Sequence, residues 1–448
     1  MTKYSKLTLA AAAVAATMAG TSSTALAQSS DALIDKLVDK GILTVNEARD
    51  LRDEADKDFT TAYSSKTGMP EWVTALKVNG DFRGRYESFN FDNPASVARN
   101  RFRYRARLGF TAIIKDQFEV GLRLTSSEAA NGASGGDPIS GNTTFSDNAS
   151  KKNIYLDLAY AKWSPLNNAD WTSTFTAGKM ENPFLFPSTM MIDRDYTPEG
   201  AAGELSYRPG SGHTLKMTGG GFVLDERGGN SDNPYLVGAQ LRWDAMWNKH
   251  LASSIGVSAW MVGNSGGTNL ASVQVPNQNS GNTRVGTQLV NDYTPVQADV
   301  SLTYTMDSFP MYPAVFPITV FGEYIKNTAV SDHDQGYAAG VVFGKSGKKG
   351  TWDFSYQYRH MEGDASYEEF SESNFGANYI NASSPLSGGG TGYRAGTNVK
   401  GHILRAQYSP YDSFTFGISY WLTELILPSP AGSESGTGRL QVDAALKF

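Results

Sequence analysis

Four arginines alternate with apolar residues in one short stretch of the chain, and this pattern most constrains the fold. The arginines are Arg101, Arg103, Arg105 and Arg107, and the residues between and after them are Phe102, Tyr104, Ala106 and Leu108. A period of two predicts a β-strand with all guanidinium groups on one face and the apolar groups on the other. If the arginines faced lipid, each would cost about 2–4 kcal/mol near the middle of a bilayer. The charged face must therefore lie in water.

The N-terminus has the three parts of a secretory signal. Lys3 and Lys6 precede an apolar run, and the small residues that follow end in Ala25-Leu-Ala27. A charged region, a short apolar region and an A-x-A site predict a signal peptide over residues 1–27, cleaved before Gln28. The apolar run is shorter than the ~20 residues that a membrane-spanning helix needs. We therefore expect an exported protein.

Composition excludes several classes of protein. The chain has no cysteine, so it has neither a disulfide scaffold nor a thiolate metal site. Its formal charge of −6 argues against nucleic acid as a partner. The 46 glycines and 12% aromatic residues fit many strands joined by polar loops. These features favour an all-β protein.

Residues 28–74 differ from the rest of the chain. Apolar residues at Leu33, Ile34, Leu37 and Val38 have helical spacing, and Thr44-Val-Asn-Glu47 has the form of a capping box. We predict a short periplasmic helical segment and linker here. Two roles remain open for it: a plain spacer, or a contact for trimerisation or for the cell wall.

From residue 75 to the C-terminus, the chain repeats alternating strands joined in turn by short and long connections. Short turns include residues 115–117 and 248–250, and long loops include residues 181–200 and 363–398. This alternation is typical of a transmembrane antiparallel β-barrel, which has short turns at one rim and longer loops at the other. The pattern predicts a barrel of about sixteen strands over residues 75–448.

Inside such a barrel, the charged strand faces would line a pore. The predicted pore-lining residues are Arg83, Arg85, Arg101, Arg103, Arg105, Arg107, Arg123 and Lys179. A basic wall of this kind acts on the ions that pass it. Whether it is also specific for one solute remains open.

These features together resemble the outer-membrane porins of Gram-negative bacteria. The C-terminal Gln441-Val-Asp-Ala-Ala-Leu-Lys-Phe448 is similar to the terminal signal of such barrels, and Lys36–Thr44 resembles the leader of the putative porin family and of relatives of the phosphate-selective porins. The resemblance implies an outer-membrane location among membrane lipids, and passive diffusion of ions and small hydrophilic solutes without catalysis. It also implies a homotrimer.

The same resemblance assigns a role to Ala177-Gly-Lys-Met-Glu-Asn-Pro-Phe184. This stretch is similar to the place where porins send a loop into the barrel to form the constriction. The predicted constriction residues are Glu181, Asp193, Arg194, Asp195 and Glu199. An infolded acidic loop opposite the arginines would set a field across the pore. The alternative position for this loop is on the outer rim.

Other chemical motifs are weak, so we predict no enzyme, metal site or cofactor. The G-x-S-x-G match at residues 263–267 lies in a loop without the strand-to-helix turn of a nucleophile elbow. The five histidines are scattered without metal-ligand spacing. The competing hypothesis is a closed-lumen outer-membrane barrel that acts as an adhesin or as a lipid-modifying enzyme. Barrel size separates the two, because sixteen strands leave an aqueous channel whereas small barrels are filled.

Overall fold

The computed structural model describes most of the chain beyond its N-terminal region. The described residues are 70, 72–129, 135–210, 212–226, 232–265, 280–285, 288–379, 392–428 and 430–448. The predicted signal peptide (1–27) and nearly all of the predicted helical segment (28–74) lie outside these residues, so both stay predictions. Within the described part, no helix is both long enough and apolar enough to cross a membrane.

Sixteen long strands in the described residues form one closed antiparallel barrel. They are β1 (Val73–Phe91), β2 (Arg99–Ile114), β3 (Phe118–Ser126), β4 (Ile154–Asn167), β5 (Trp171–Lys179), β6 (Glu199–Gly210), β7 (His213–Val223), β8 (Tyr235–Met246), β9 (Leu251–Gly263), β10 (Pro295–Met306), β11 (Phe316–Asn327), β12 (Gln335–Gly344), β13 (Thr351–Met361), β14 (Val399–Tyr411), β15 (Phe414–Leu425) and β16 (Thr437–Lys447). Each strand pairs with the next, and β16 pairs with β1 in a register that runs from Asp81↔Lys447 to Phe91↔Thr437. Closure leaves no free sheet edge. The predicted fold class and strand number are confirmed.

The alternation of side chains along each strand explains how the sequence specifies this barrel. On β2, Phe102 and Leu108 are exposed on the outer surface, whereas Arg103 is buried inside. The same division holds on β9, where Val257 and Met261 are exposed and Trp260 is buried. A barrel with an apolar outside and a polar or packed inside suits a surrounding of lipid.

Most connections alternate in length as the sequence predicts; an exception is residues 328–334, between β11 and β12, where a long loop would be expected and the connection is short. The turn between β2 and β3 contains Lys115 and Asp116, both with positive φ (48° and 59°), which is the backbone form of a tight hairpin. Between β13 and β14, in contrast, the chain runs from residue 362 to residue 398. The first strand, β1, covers Val73–Phe91 and so begins before residue 75, the predicted start of the barrel.

Part of the barrel interior contains a hydrophobic cluster built by loops. Its buried members come from the strands and from three connections, among them Met180, Phe184, Met190, Met191, Ile192, Leu289, Tyr293, Tyr367 and Phe370. A second cluster joins Phe375 and Tyr379 to Ile403 on β14 and Trp421 on β15. The sector of the lumen near β8–β15 is therefore packed with side chains near the long-loop end.

Candidate functional site

The predicted arginine wall is a network of ion pairs with carboxylates of neighbouring strands. Glu87 of β1 is fully buried at its centre. Its carboxylate lies 2.5 Å from both Arg101 Nε and Arg439 Nη2, and 3.7 Å from Arg103 Nη1. Next to it, Arg85 donates to both carboxylate oxygens of Asp443 at 2.7 Å. Charge-assisted pairs with this geometry are strong, so much of the wall is neutralised from within the sheet.

Further along β2, the wall binds a residue of the long loop after β5. Arg105 donates to Asp81 of β1 at 2.9 Å and to Asp195 of the loop at 2.8 Å. Arg107 also contacts both carboxylates, at 2.6 Å and 3.6 Å. Burial would raise the pKa of Asp195, but Arg105, Arg83 and Arg107 lower it below its usual range. Asp195 therefore lies as an anion against the arginine wall.

The remaining predicted basic residues occupy separate places. Arg83 donates to the side-chain oxygen of Asn142 at 2.8 Å, and no carboxylate of the described residues lies within ion-pair distance of it. Arg123 of β3 bridges Asp157 and Glu181, at 2.5 Å and 2.6 Å. Lys179, the last residue of β5, binds Glu199, the first residue of β6.

The loop after β5 (residues 180–198, called the crossing loop) follows a glycine near the end of β5 that no other residue replaces easily. Gly178 has φ of +114°, and a Cβ there would lie 2.3 Å from the carbonyl oxygen of Ala159. Beyond it, Asn182 Oδ1 accepts a hydrogen bond from the Phe184 amide at 3.1 Å, and the Phe184 ring packs edge-on against Trp260 at 4.3 Å. The predicted Gly-Lys-x-x-x-Pro-Phe motif thus directs the chain away from the barrel wall.

The crossing loop contacts strands on widely separated parts of the barrel. Leu185 exchanges hydrogen bonds with the side chain of Gln240 on β8, at 3.0 Å and 2.8 Å. Thr189 accepts from Arg359 on β13, while Asp195 reaches Arg105 on β2. Contacts with β2, β8 and β13 place this loop across the lumen.

A second loop, residues 362–379 (called the packing loop), holds the crossing loop in place. The Asp193 amide donates to the Phe370 carbonyl at 2.7 Å, and the Ser373 amide donates to Asp193 Oδ2 at 2.8 Å. Glu372 of the packing loop bonds Thr189, and Arg359 lies 2.9 Å from the same carboxylate. The two loops therefore form one packed unit inside the barrel.

The five predicted constriction residues divide into three groups. Asp195 joins the arginine wall, and Glu181 and Glu199 lie beside Arg123 and Lys179. Asp193 is buried between the two loops and does not face the basic wall. Arg194 is exposed, and among the described residues it has no carboxylate within ion-pair distance.

Sequence reasoning predicted a long loop over residues 363–398, but it missed that residues 362–379 pack inside the barrel and which residues anchor them. Glu368 accepts from the amides of Ser280 and Asn282 and binds Arg284, and Asp364 accepts from Thr283 and Tyr293. The sequence did contain a signal for this packing. A polar loop exposed to water would not be expected to contain three aromatic residues, Tyr367, Phe370 and Phe375. Burial of those rings requires an apolar site, which the lumen provides.

Two cavities of about 470 Å³ each follow one another along the wall from β2 to β6, and we call them the passage. The first is lined by Arg105, Arg107, Asp157, Lys179, Asp195 and Glu199. The second, nearer the short turns, is lined by Tyr160, Lys162, Arg123, Glu181, Asn182 and Glu204. The Arg123–Asp157 ion pair connects their walls. Seven of the predicted site residues thus line these two cavities. In the part of the chain that the structure describes, no group of three or more His, Asp or Glu side chains is placed to hold a metal ion.

Docking of the crossing loop is expected to weaken as the pH rises from about 4 to about 7. Burial, with repulsion from Asp195 and Glu372, raises the pKa of Asp193 to about 7 from an ordinary value of 3.8. Between these two pKa values, Asp193 is protonated in the docked loop but ionised in an undocked loop. The stability that this difference gives to docking is complete below about pH 4 and is lost as the pH rises to about 7. Hydrogen-exchange protection of residues 185–194, corrected for intrinsic rates, should be higher at pH 5 than at pH 8. Asp193→Asn should remove this difference; an unchanged difference in that variant would assign the effect to other groups.

With the fold and the lumen described, the chain can be compared with known proteins. Residues 93–289 match the family model described as putative porin. The predicted resemblance to porins is confirmed. No curated protein matches the sequence.

Solved porin structures are similar to this porin-like chain over most of its length. OprB of Pseudomonas putida, in a high-pH structure, aligns over 83% of this chain and 94% of its own, with 8% identity and a TM-score of 0.47. OmpF of Salmonella typhi, in a complex with daunomycin, covers 83% and 97%, with 11% identity and a TM-score of 0.45. OpdQ of Pseudomonas aeruginosa covers 85% and 99%, with 10% identity and a TM-score of 0.42.

Proposed function

We propose that this protein is an outer-membrane porin that forms a water-filled channel for the passive diffusion of ions and small hydrophilic solutes. The observation that carries the proposal is the passage, whose two cavities lie in sequence inside a closed barrel of sixteen strands. Barrels of this size leave an aqueous lumen. No bond is made or broken in this function.

The crossing loop is proposed to be the constriction of the channel. Its contacts with β2 and β13 support this role, because a loop fixed on separated walls reduces the open cross-section between them. The wall of the channel is proposed to be formed by the basic residues and their paired carboxylates together with the loop acids; its basic residues are Arg83, Arg85, Arg101, Arg103, Arg105, Arg107, Arg123 and Lys179. Charged faces at a narrow point determine which ions pass.

The proposal includes the parts of the sequence that lie outside the described residues. Residues 1–27 are proposed to be a signal peptide for export through the periplasm. Residues 28–74 are proposed to be a periplasmic helical segment and linker, of which Val73 and Thr74 already belong to β1. Assembly as a homotrimer among outer-membrane lipids is part of the same proposal, by analogy with porins. Its support is the family resemblance of residues 93–289.

Purified protein refolded in detergent should give discrete, ohmic conductance steps in a planar lipid bilayer. The physical reason is that a fixed water-filled lumen conducts in proportion to voltage without a gating transition. A heat-modifiable shift in gel migration identifies folded barrels beforehand. Folded barrels that give no steps would contradict the channel.

The second candidate function is a closed-lumen barrel that acts as an adhesin or lipid-modifying enzyme. One observation favours it: the crossing loop and packing loop fill a sector of the lumen with buried apolar side chains, including Met190, Met191 and Phe370. The conductance measurement separates the two functions, because a closed lumen gives no steps.

A further inference from the structure

Two ion pairs of the passage expose their acidic partner much more than their basic partner. In the Glu181–Arg123 pair, with 2.6 Å between Oε1 and Nη1, the side chains are 70% and 15% exposed. In the Glu199–Lys179 pair, with 3.0 Å between Oε1 and Nζ, they are 64% and 26% exposed. Each pair is formally neutral, but an ion in the passage meets the carboxylate first.

The charge balance around Arg123 adds to this asymmetry. Its guanidinium binds Asp157 at 2.5 Å as well as Glu181 at 2.6 Å, so two carboxylates surround one cation. Beside the first cavity, Arg105 and Arg107 are matched by two acids, Asp81 and Asp195. The excess negative charge of these clusters therefore lies at Glu181.

Few other basic groups are free to offset this excess within the passage. Lys162 lines the second cavity but pairs with Glu119 at 3.0 Å. Among the described residues, Arg83 bonds only Asn142, but it lines neither cavity.

Arg101 and Arg103 are covered by Glu87 and have little exposed surface. Arg194 is exposed, but it lines neither cavity. The sector opposite the passage is occupied by the hydrophobic cluster of the crossing and packing loops. Permeating ions are thus directed along the wall on which the carboxylates are exposed.

We infer that the passage prefers small cations over anions, and that Glu181 and Glu199 set this preference. The inference rests on the proposed function, because selectivity needs a conducting channel. It reverses the expectation from arginine content alone, since the ladder on β2 is covered by its own carboxylates. One exposed charge about 4 Å from an ion in water changes its local concentration roughly fivefold, and the expected permeability ratio of K⁺ to Cl⁻ is of that order.

The test is the reversal potential of the full-length protein in a planar bilayer under a tenfold KCl gradient. For the natural sequence, we expect the dilute side to become positive, which gives a K⁺/Cl⁻ permeability ratio well above one. The double variant Glu181→Gln/Glu199→Gln should keep its conductance steps while this ratio falls several-fold toward one. Both carboxylates are exposed, so heat-modifiable migration in gels should be unchanged and report a folded barrel.

A matched control uses an exposed glutamate that does not line the passage. Glu424 pairs with Lys400 at 3.2 Å and its side chain is 56% exposed. Glu424→Gln should leave the permeability ratio unchanged. Anion preference of the natural sequence, or an equal shift in the control, would overturn the role of Glu181 and Glu199 while conductance still supports a channel. Absence of any conductance would instead overturn the proposed function and, with it, this inference.

Discussion

Replacement of Glu87 by glutamine is expected to destabilise the barrel by about 3–5 kcal/mol, the cost of removing one partner from a buried ion-pair cluster. Glu87 is the shared partner of Arg101, Arg103 and Arg439, which come from two different strands beside β1. The variant leaves these guanidinium groups close together, with their mutual repulsion no longer balanced. Arg439 keeps only neutral acceptors, the Ser373 carbonyl and the Tyr393 hydroxyl.

The measurement is the urea midpoint of the folded band in gel-shift unfolding of the detergent-refolded protein. Glu424→Gln is the control, because it removes the same charge from an exposed pair and should cost at most about 1 kcal/mol. Equal urea midpoints for the two variants would show that the ion-pair cluster around Glu87 contributes no more to the free energy of unfolding than an exposed ion pair does. High salt should change the urea midpoints of the natural sequence and of the Glu87 variant only slightly, because buried charges are screened less than exposed ones.

The strand pattern was predictable because lipid on one side and charge on the other impose a period of two on the sequence. That pattern predicted the strand number and the short turns at residues 115–117 and 248–250. It also placed Arg101–Arg107 on one face, as the contacts of these residues with Glu87 and Asp81 require.

The pairing within the arginine wall was not predictable from the same pattern. Asp443 lies more than 350 positions from Arg85, and their contact depends on how β16 joins β1 at barrel closure. The period of two within each strand does not specify the register between the two strands that close the barrel. The sequence therefore predicted a basic wall, whereas the folded wall is largely neutralised.

The interior loops were the least predictable part of the candidate site. The crossing loop was predicted from the resemblance of residues 177–184 to porins, and the residues named in it were all charged, but its centre at Met190, Met191 and Ile192 is apolar and buried. Its docking partner, the packing loop, has no regular period, because irregular chain segments pack through individual residues such as Phe370. Alternation rules describe strands and carry no information about such contacts.

Removal of the crossing loop is expected to raise single-channel conductance by at least about twofold, because the lumen of a sixteen-strand barrel is wide unless it is filled. The change is deletion of Leu185–Arg194 with a short Gly-Ser link. This segment carries the contacts with Gln240, Arg359 and the packing loop, so its loss opens the space between β8 and β13. Liposome swelling with sugars of increasing size should show larger solutes entering faster.

The control deletion is Ala329–Asp332, in the short connection between β11 and β12, where most side chains are exposed. It should leave conductance and swelling unchanged, since nothing in it contacts the crossing loop among the described hydrogen bonds. If the deletion of Leu185–Arg194 gave folded barrels with unaltered conductance, the crossing loop would not be the constriction. The narrowing would then have to come from the packing loop alone, whose anchors Asp364 and Glu368 remain in the shortened chain.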